Sequence, residues 1–237
     1  MKYKILLVLG LVFNLKVSNG QTLSANDFLN KVIKHHDPKA KWEKFKGDIV
    51  VTMSTPNKSD RVTDIYMDNS KGIFILSNIK EGKKITSSVV GEQVTFLMDK
   101  VVVSDETELD AQKLTKERAL FMRNYYTYLY GLPMKLKDKG TQIDPILSTK
   151  EFKGKTYNVV KVTYDKSVGK DTWYFYFDPK TLDMEIYQFF HNEAKNDGEY
   201  ILLSDFIDMK GMRIPAKRAW YTNLDDKLLG TDVLVVK

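Results

Sequence analysis

The densest run of chemically capable side chains is Phe121-Met122-Arg123-Asn124-Tyr125-Tyr126-Thr127-Tyr128-Leu129-Tyr130. On a helix, Tyr125 and Tyr128 share one side, and Tyr126 and Tyr130 share a neighbouring one. Tyrosine joins an apolar ring to a hydroxyl that needs a partner, so it suits a surface half buried and half wet. Arg123, set among these rings, could meet a carboxylate or phosphate head group. It could equally pair with Glu117 or cover apolar surface with its stem. Two arrangements fit the segment: a helix lying against a ligand groove, or a helix packed between a sheet and the surface.

A second aromatic cluster is Trp173-Tyr174-Phe175-Tyr176-Phe177, continued by Tyr187, Phe189 and Phe190. Strand alternation puts Trp173, Phe175 and Phe177 on one face and Tyr174 and Tyr176 on the other, so both faces are bulky. A sheet covered on both sides accounts for that, and so does a sheet with one face lining an apolar pocket.

Other chemistries find little support. His35 and His36 are adjacent and point about 100° apart on a helix, so they share one ion poorly. His191 stands far off in the chain, and no metal site is expected. The chain has no cysteine, which removes thiol nucleophiles, thiolate zinc sites and redox pairs. No serine elbow and no glycine-rich phosphate loop occurs. Asp165, Asp171, Asp178, Asp205 and Asp208 sit beside turns, where aspartate serves local hydrogen bonds. No catalytic residue and no cofactor is expected.

The elements around these clusters can be read from periodicity. Ser24 to His36 reads as an amphipathic helix with Ser24 as N-cap and Phe28, Leu29, Val32 and Ile33 as its stripe. Asp37-Pro38 ends it. Strands are expected near 48–55, 62–68, 72–77, 84–90 and 93–103, separated by turn pairs such as Glu81-Gly82. Their spacing of roughly ten residues signals an antiparallel meander rather than βαβ units. Residues 107–131 switch to helical spacing, and Gly131 and Pro133 stop that segment. Strands resume at 157–164, 172–177, 184–190, 200–206, 213–221 and 228–236.

The beginning of the chain fixes where the protein is expected to work. Lys2 and Lys4 precede an apolar run from Ile5 to Phe13, and Ser18 and Gly20 follow as small residues before a cut. Charged start, short apolar core and small residues describe a secretory signal peptide, too short to span a bilayer. Residues 1–20 are assigned to it and 21–237 to one β-rich domain, in the periplasm or secreted. Removing Lys2, Lys4 and Lys16, with no acid among them, lowers the formal charge from +6 to +3. No lipid-bearing cysteine follows the cut, and no second apolar run approaches a membrane span. The remaining bases are scattered among acids, which argues against a nucleic-acid footprint.

Two stretches carry a resemblance. Phe177-Asp178-Pro179-Lys180-Thr181-Leu182-Asp183-Met184-Glu185-Ile186 resembles a turn between late strands of LolA-like proteins, the lipoprotein carriers and their lipid-binding relatives. Leu203-Ser204-Asp205-Phe206 with Asp208-Met209-Lys210-Gly211-Met212-Arg213-Ile214-Pro215 resembles their next hairpin. The whole chain also resembles a family of secreted proteins without an established activity, through His36-Asp37-Pro38, the 122–133 segment and the 170–178 segment. The resemblance implies an α+β fold: a curved antiparallel half-barrel, LolA-like, with helices packed at its open side. It implies non-catalytic binding of a hydrophobic ligand, a lipid or lipoprotein, by a monomer. Phe121, Tyr125, Tyr126, Tyr130, Trp173 and Phe175 are then expected at the cavity and Arg123 at a polar head. A protein-interaction or envelope-sensor module without a cavity is the alternative, and a hydrolase a second one.

Overall fold

The computed structural model describes residues 23–237; the expected export signal, residues 1–20, lies outside the described residues. Helix α1 (Ala25–His36) starts at Ser24, whose hydroxyl accepts the Asp27 N–H, and ends at Asp37 before Pro38. Its stripe of Phe28, Leu29 and Val32 is buried, while Ile33 at the stripe's margin is half-buried.

Six strands follow: β1 (Lys46–Ser54), β2 (Arg61–Asp68), β3 (Ile73–Lys80), β4 (Lys83–Val90), β5 (Gln93–Met98) and β6 (Val101–Val102). The expected strand over 93–103 is split because Asp99 and Lys100 both take positive φ and make a tight turn. The helical stretch is likewise two pieces, α2 (Glu106–Gln112) and α3 (Lys116–Gly131). Lys113 ends α2 in the left-handed region at φ 55°. Thr115 then caps α3 by accepting the Arg118 N–H. Gly131 closes α3 at a point where a Cβ would come within 2.5 Å of the Trp42 ring, so only glycine fits that contact.

The second run comprises β7 (Thr141–Ile143), β8 (Ser148–Phe152), β9 (Lys155–Tyr164), β10 (Thr172–Phe177), β11 (Met184–Phe190), β12 (Glu199–Met209), β13 (Met212–Thr222) and β14 (Leu228–Val236). Strands β7 and β8 have no counterpart in the sequence reading; both are short and mostly polar.

All fourteen strands belong to one antiparallel sheet in the order β6-β5-β4-β3-β2-β1-β14-β13-β12-β11-β10-β9-β7, with β8 also on β9. Two meanders are thus joined where β1 pairs β14, from Ile49↔Val236 to Ser54↔Thr231. The end strands β6 and β7 do not pair, so the sheet is a curved half-barrel and not a closed barrel.

One face of the sheet carries the helices and the main core. Helix α1 packs on the C-terminal meander, with Phe28 edge-on to Phe177 at 5.6 Å. Helix α3 crosses the open side between the meanders. Leu129 on α3 accepts a hydrogen bond through its carbonyl from the buried Arg218 guanidinium of β13, at 3.2 Å. The opposite face of β9–β12 is covered as well: Tyr157, Val159, Tyr174, Tyr176, Ile186 and Tyr200 form a second cluster with Phe152 of β8 folded over it. This covering on both sides accounts for the bulk on both faces of β10.

Candidate functional site

Where α2 and α3 meet the N-terminal meander, the inward face is not filled. A groove of about 410 Å³ lies between β2–β5 and the two helices. Alternation aims residues 61 and 63 of β2, 74, 76, 78 and 80 of β3, 85 and 87 of β4, and 96 of β5 at this space. The floor is apolar: Phe74, Leu76, Ile85 and Phe96 from the sheet, and Leu114, Ala119, Met122 and Tyr126 from the helical side. Tyr126 is buried and stacks on Phe74, ring centroids 6.3 Å apart. Burial raises the Tyr126 hydroxyl above its ordinary range, although Arg61 and Thr63 beside it pull the other way. The mouth is polar, with Asn78, Ser87, Gln112 and Thr115 between the cations Arg61, Lys80, Lys113 and Arg118.

Of the seven residues expected at a cavity, the groove takes in Tyr126. Phe121 is exposed and stacks on Tyr125 at 6.1 Å. Tyr125 in turn lies against Trp220 of β13 at 6.5 Å. Arg123 turns to the β4–β5 hairpin, where it donates to the Gly91 carbonyl at 2.5 Å and faces Glu92 at 3.4 Å. It pins α3 to the sheet, and its acid is Glu92 rather than Glu117. Tyr130 is buried beneath the Arg218 guanidinium, 4.0 Å from its ring. Trp173 and Phe175 stack at 6.1 Å over Tyr187 and Phe189 and fill the C-terminal half of the face.

The sequence reading missed the groove's other lining residues. A signal for them existed. Arg61, Thr63, Asn78, Lys80 and Ser87 put polar groups on the inward side, in register with buried Ile65, Met67, Phe74 and Val89. Polar residues at one end of an otherwise apolar face mark the stretch where water or a ligand replaces protein.

A second polar cluster stands at the end of α1. His35 contacts Asp183 at 2.8 Å, and Arg213 donates to the same carboxylate at 2.6 and 2.8 Å. Burial would raise Asp183, but the hydrogen bonds from Arg213 and His35 outweigh it and hold the acid at about 2. His36 is buried, and burial lowers it to about 4. Its Nδ1 lies 2.7 Å from the Arg213 carbonyl, and its Nε2 accepts the Met184 N–H at 3.1 Å. One potential ligand atom from each of His35, His36 and Asp183 lies within 4.8 Å of the other two. Both ring nitrogens of His36 are occupied and a guanidinium holds Asp183, so the cluster is a tether of α1 to β11 and β13 and not an open metal site.

The architecture, an open antiparallel sheet with helices on one face, is a LolA-like fold. The chain belongs to the Family of unknown function (DUF6503), whose model matches residues 3–237. LolA superfamily protein NE2245 from Nitrosomonas europaea superposes with a TM-score of 0.51 at 12% identity, over 90% of this chain and 91% of that one. A DUF1329 family protein from Desulfovibrio piger gives 0.49 at 8% identity over 88% and 89%. A putative outer membrane lipoprotein-sorting protein domain from Vibrio parahaemolyticus gives 0.48 at 10% identity over 88% and 91%. At such identities the likeness concerns the fold, and the first of the three carries it. A search of curated proteins gives no match. Among the described residues no helix is long and apolar enough to cross a membrane.

Proposed function

We propose that the protein binds an apolar or acyl-bearing ligand, without chemistry, in the groove between β2–β5 and α2–α3. One observation carries this reading: a space of about 410 Å³ with an apolar floor, on the same face that elsewhere is packed solid. That volume lies at the lower end of ordinary small-molecule pockets, about 300–1,000 Å³. Each methylene seated on the floor contributes about 0.8 kcal/mol before ordering costs. Tyr126 contacts the ligand, Tyr130, Trp173 and Phe175 form the packed wall behind α3, Arg123 and Tyr125 hold the helix in place, and Phe121 lies on its exposed side. The lining offers hydroxyls from Thr63, Ser87 and Thr115 but no histidine or carboxylate to activate them, which favours binding over hydrolysis. Export to the periplasm, read from residues 1–20, would set the ligand among envelope lipids or lipid-bearing proteins.

The test is native mass spectrometry of protein taken from its own envelope, beside Met122→Trp, whose indole fills the groove. A stoichiometric acyl-bearing adduct on the parent, absent from the folded variant, supports the reading. A clean mass for both after gentle handling, with no uptake of added palmitate, sinks it.

A further inference from the structure

The charge around the groove is one-sided. Across the chain, bases and acids are close to balance, 37 against 31. The seventeen residues lining the groove include four bases and no acid. Arg61 opens β2 and Lys80 ends β3, at the same end of one hairpin; Lys113 ends α2 and Arg118 lies in the first turn of α3. Four separate elements therefore deliver a cation to one mouth. All four side chains are exposed. None of them forms an ion pair among the described residues. Arg61 donates to the Met53 sulfur at 2.8 Å and stands beside the Tyr126 hydroxyl, with no carboxylate in contact. The acid that its charge reaches is Asp232, which is buried on β14 and raised by that burial.

The N-terminus of α3 reinforces the field, since Thr115, its cap, is itself part of the lining. An uncompensated ring of cations around an apolar floor costs self-repulsion in the free protein. That cost is relieved by an anion at the mouth, and an anion with a chain also covers the floor. The volume decides how many chains. At about 30 Å³ for a water-sized unit, the groove holds roughly fourteen such units, and a methylene is of similar size. That is the volume of one acyl chain.

We infer that the natural ligand is a single-chain amphiphile with an anionic head, phosphate or carboxylate, its chain on the Phe74–Phe96–Met122–Tyr126 floor and its head among Arg61, Lys80, Lys113 and Arg118. This inference rests on the binding reading above and adds the head group and the chain number. Arg118 and Lys80, standing on opposite walls, make the principal contacts; Lys113 and Arg61 complete the field.

The experiment is calorimetric titration of the purified protein with four probes below their micelle concentrations: 1-palmitoyl lysophosphatidate, palmitate, monopalmitoylglycerol and inorganic phosphate. At about 0.05 M salt the two anionic amphiphiles should bind roughly tenfold tighter than the neutral one, the effect of two or three solvent-exposed ion contacts. That advantage should shrink on raising salt to about 0.5 M. In Lys80→Gln/Arg118→Gln, two exposed changes that leave the core intact, the anionic amphiphiles should lose most of their advantage over monopalmitoylglycerol measured on the same variant. Lysophosphatidate ahead of palmitate, or the reverse, names the head group. Equal affinity for neutral and anionic chains overturns the inference and leaves the binding reading standing. Inorganic phosphate binding as tightly as lysophosphatidate overturns it as well, by removing the chain. No binding of any chain-bearing probe overturns the binding reading itself.

Discussion

Strands β3 and β10 obey the same alternation and face the same side of the same sheet, yet their inward residues end in different states. On β10, Trp173, Phe175 and Phe177 interlock with Tyr187, Phe189 and Phe28. On β3, Phe74, Leu76, Asn78 and Lys80 face Ser87, Ile85 and the short Ala119 across an opening. The aromatic half is the filled half. Large rings close-pack and exclude space; a cavity arises where short and polar side chains stop before they meet. Aromatic density was therefore a poor guide to the groove.

This contrast can be challenged at several strengths. Phe175→Ala opens a hole in the filled half and should cost about 3–5 kcal/mol in urea unfolding. Leu76→Ala, at a wall that already lacks neighbours on one side, should cost about 1 kcal/mol. Equal costs would erase the distinction between the halves. Tyr126 belongs to both: it lines the groove and stacks between Phe74 and Tyr130. Tyr126→Ala should thus lose about 3 kcal/mol of stability together with ligand binding.

Acid sensitivity should sit in the filled half. His36 titrates at about 4 when folded and at 6.5 when unfolded. The unfolded chain then holds more protons between those values, so stability is full above pH 6.5 and falls as pH drops to about 4. The loss amounts to about 3 kcal/mol. His36→Gln, less stable at neutral pH, should show a flatter profile over that window in urea melts at stepped pH. The smallest effect is expected from Met122→Trp, which adds volume to empty space and should shift stability by less than about 1 kcal/mol while blocking the groove. A penalty of several kcal/mol would mean that the space is not there to fill.

Much of the fold was legible because it rests on local signals. Ser24 and Asp37-Pro38 bound α1, and turn pairs such as Glu81-Gly82 punctuate the strands as expected. The two elements that were split, the expected strand over 93–103 and helix over 107–131, broke at left-handed residues without a glycine: Asp99, Lys100 and Lys113. Strands β7 and β8 escaped because short polar strands have too little apolar alternation to register. The β1–β14 pairing, which joins the two meanders, is a contact between the first and last strands and leaves no local trace. The groove was legible in principle, from Arg61, Thr63, Asn78, Lys80 and Ser87 on inward positions. Seeing it required knowing which face of each strand is inward, and that comes only with the register. Arg218, a buried cation on β13 that bonds α3 through Leu129, likewise gave no sign in the sequence.

Backbone amide chemical shifts, recorded while palmitate is added to the uniformly labelled protein, test the central claim most directly. The account expects saturable shifts along 74–87, 93–98 and 114–126, with the amides of 172–190 unmoved. Shifts centred on Trp173 and Phe175, or none at all up to the solubility limit of the ligand, would contradict it.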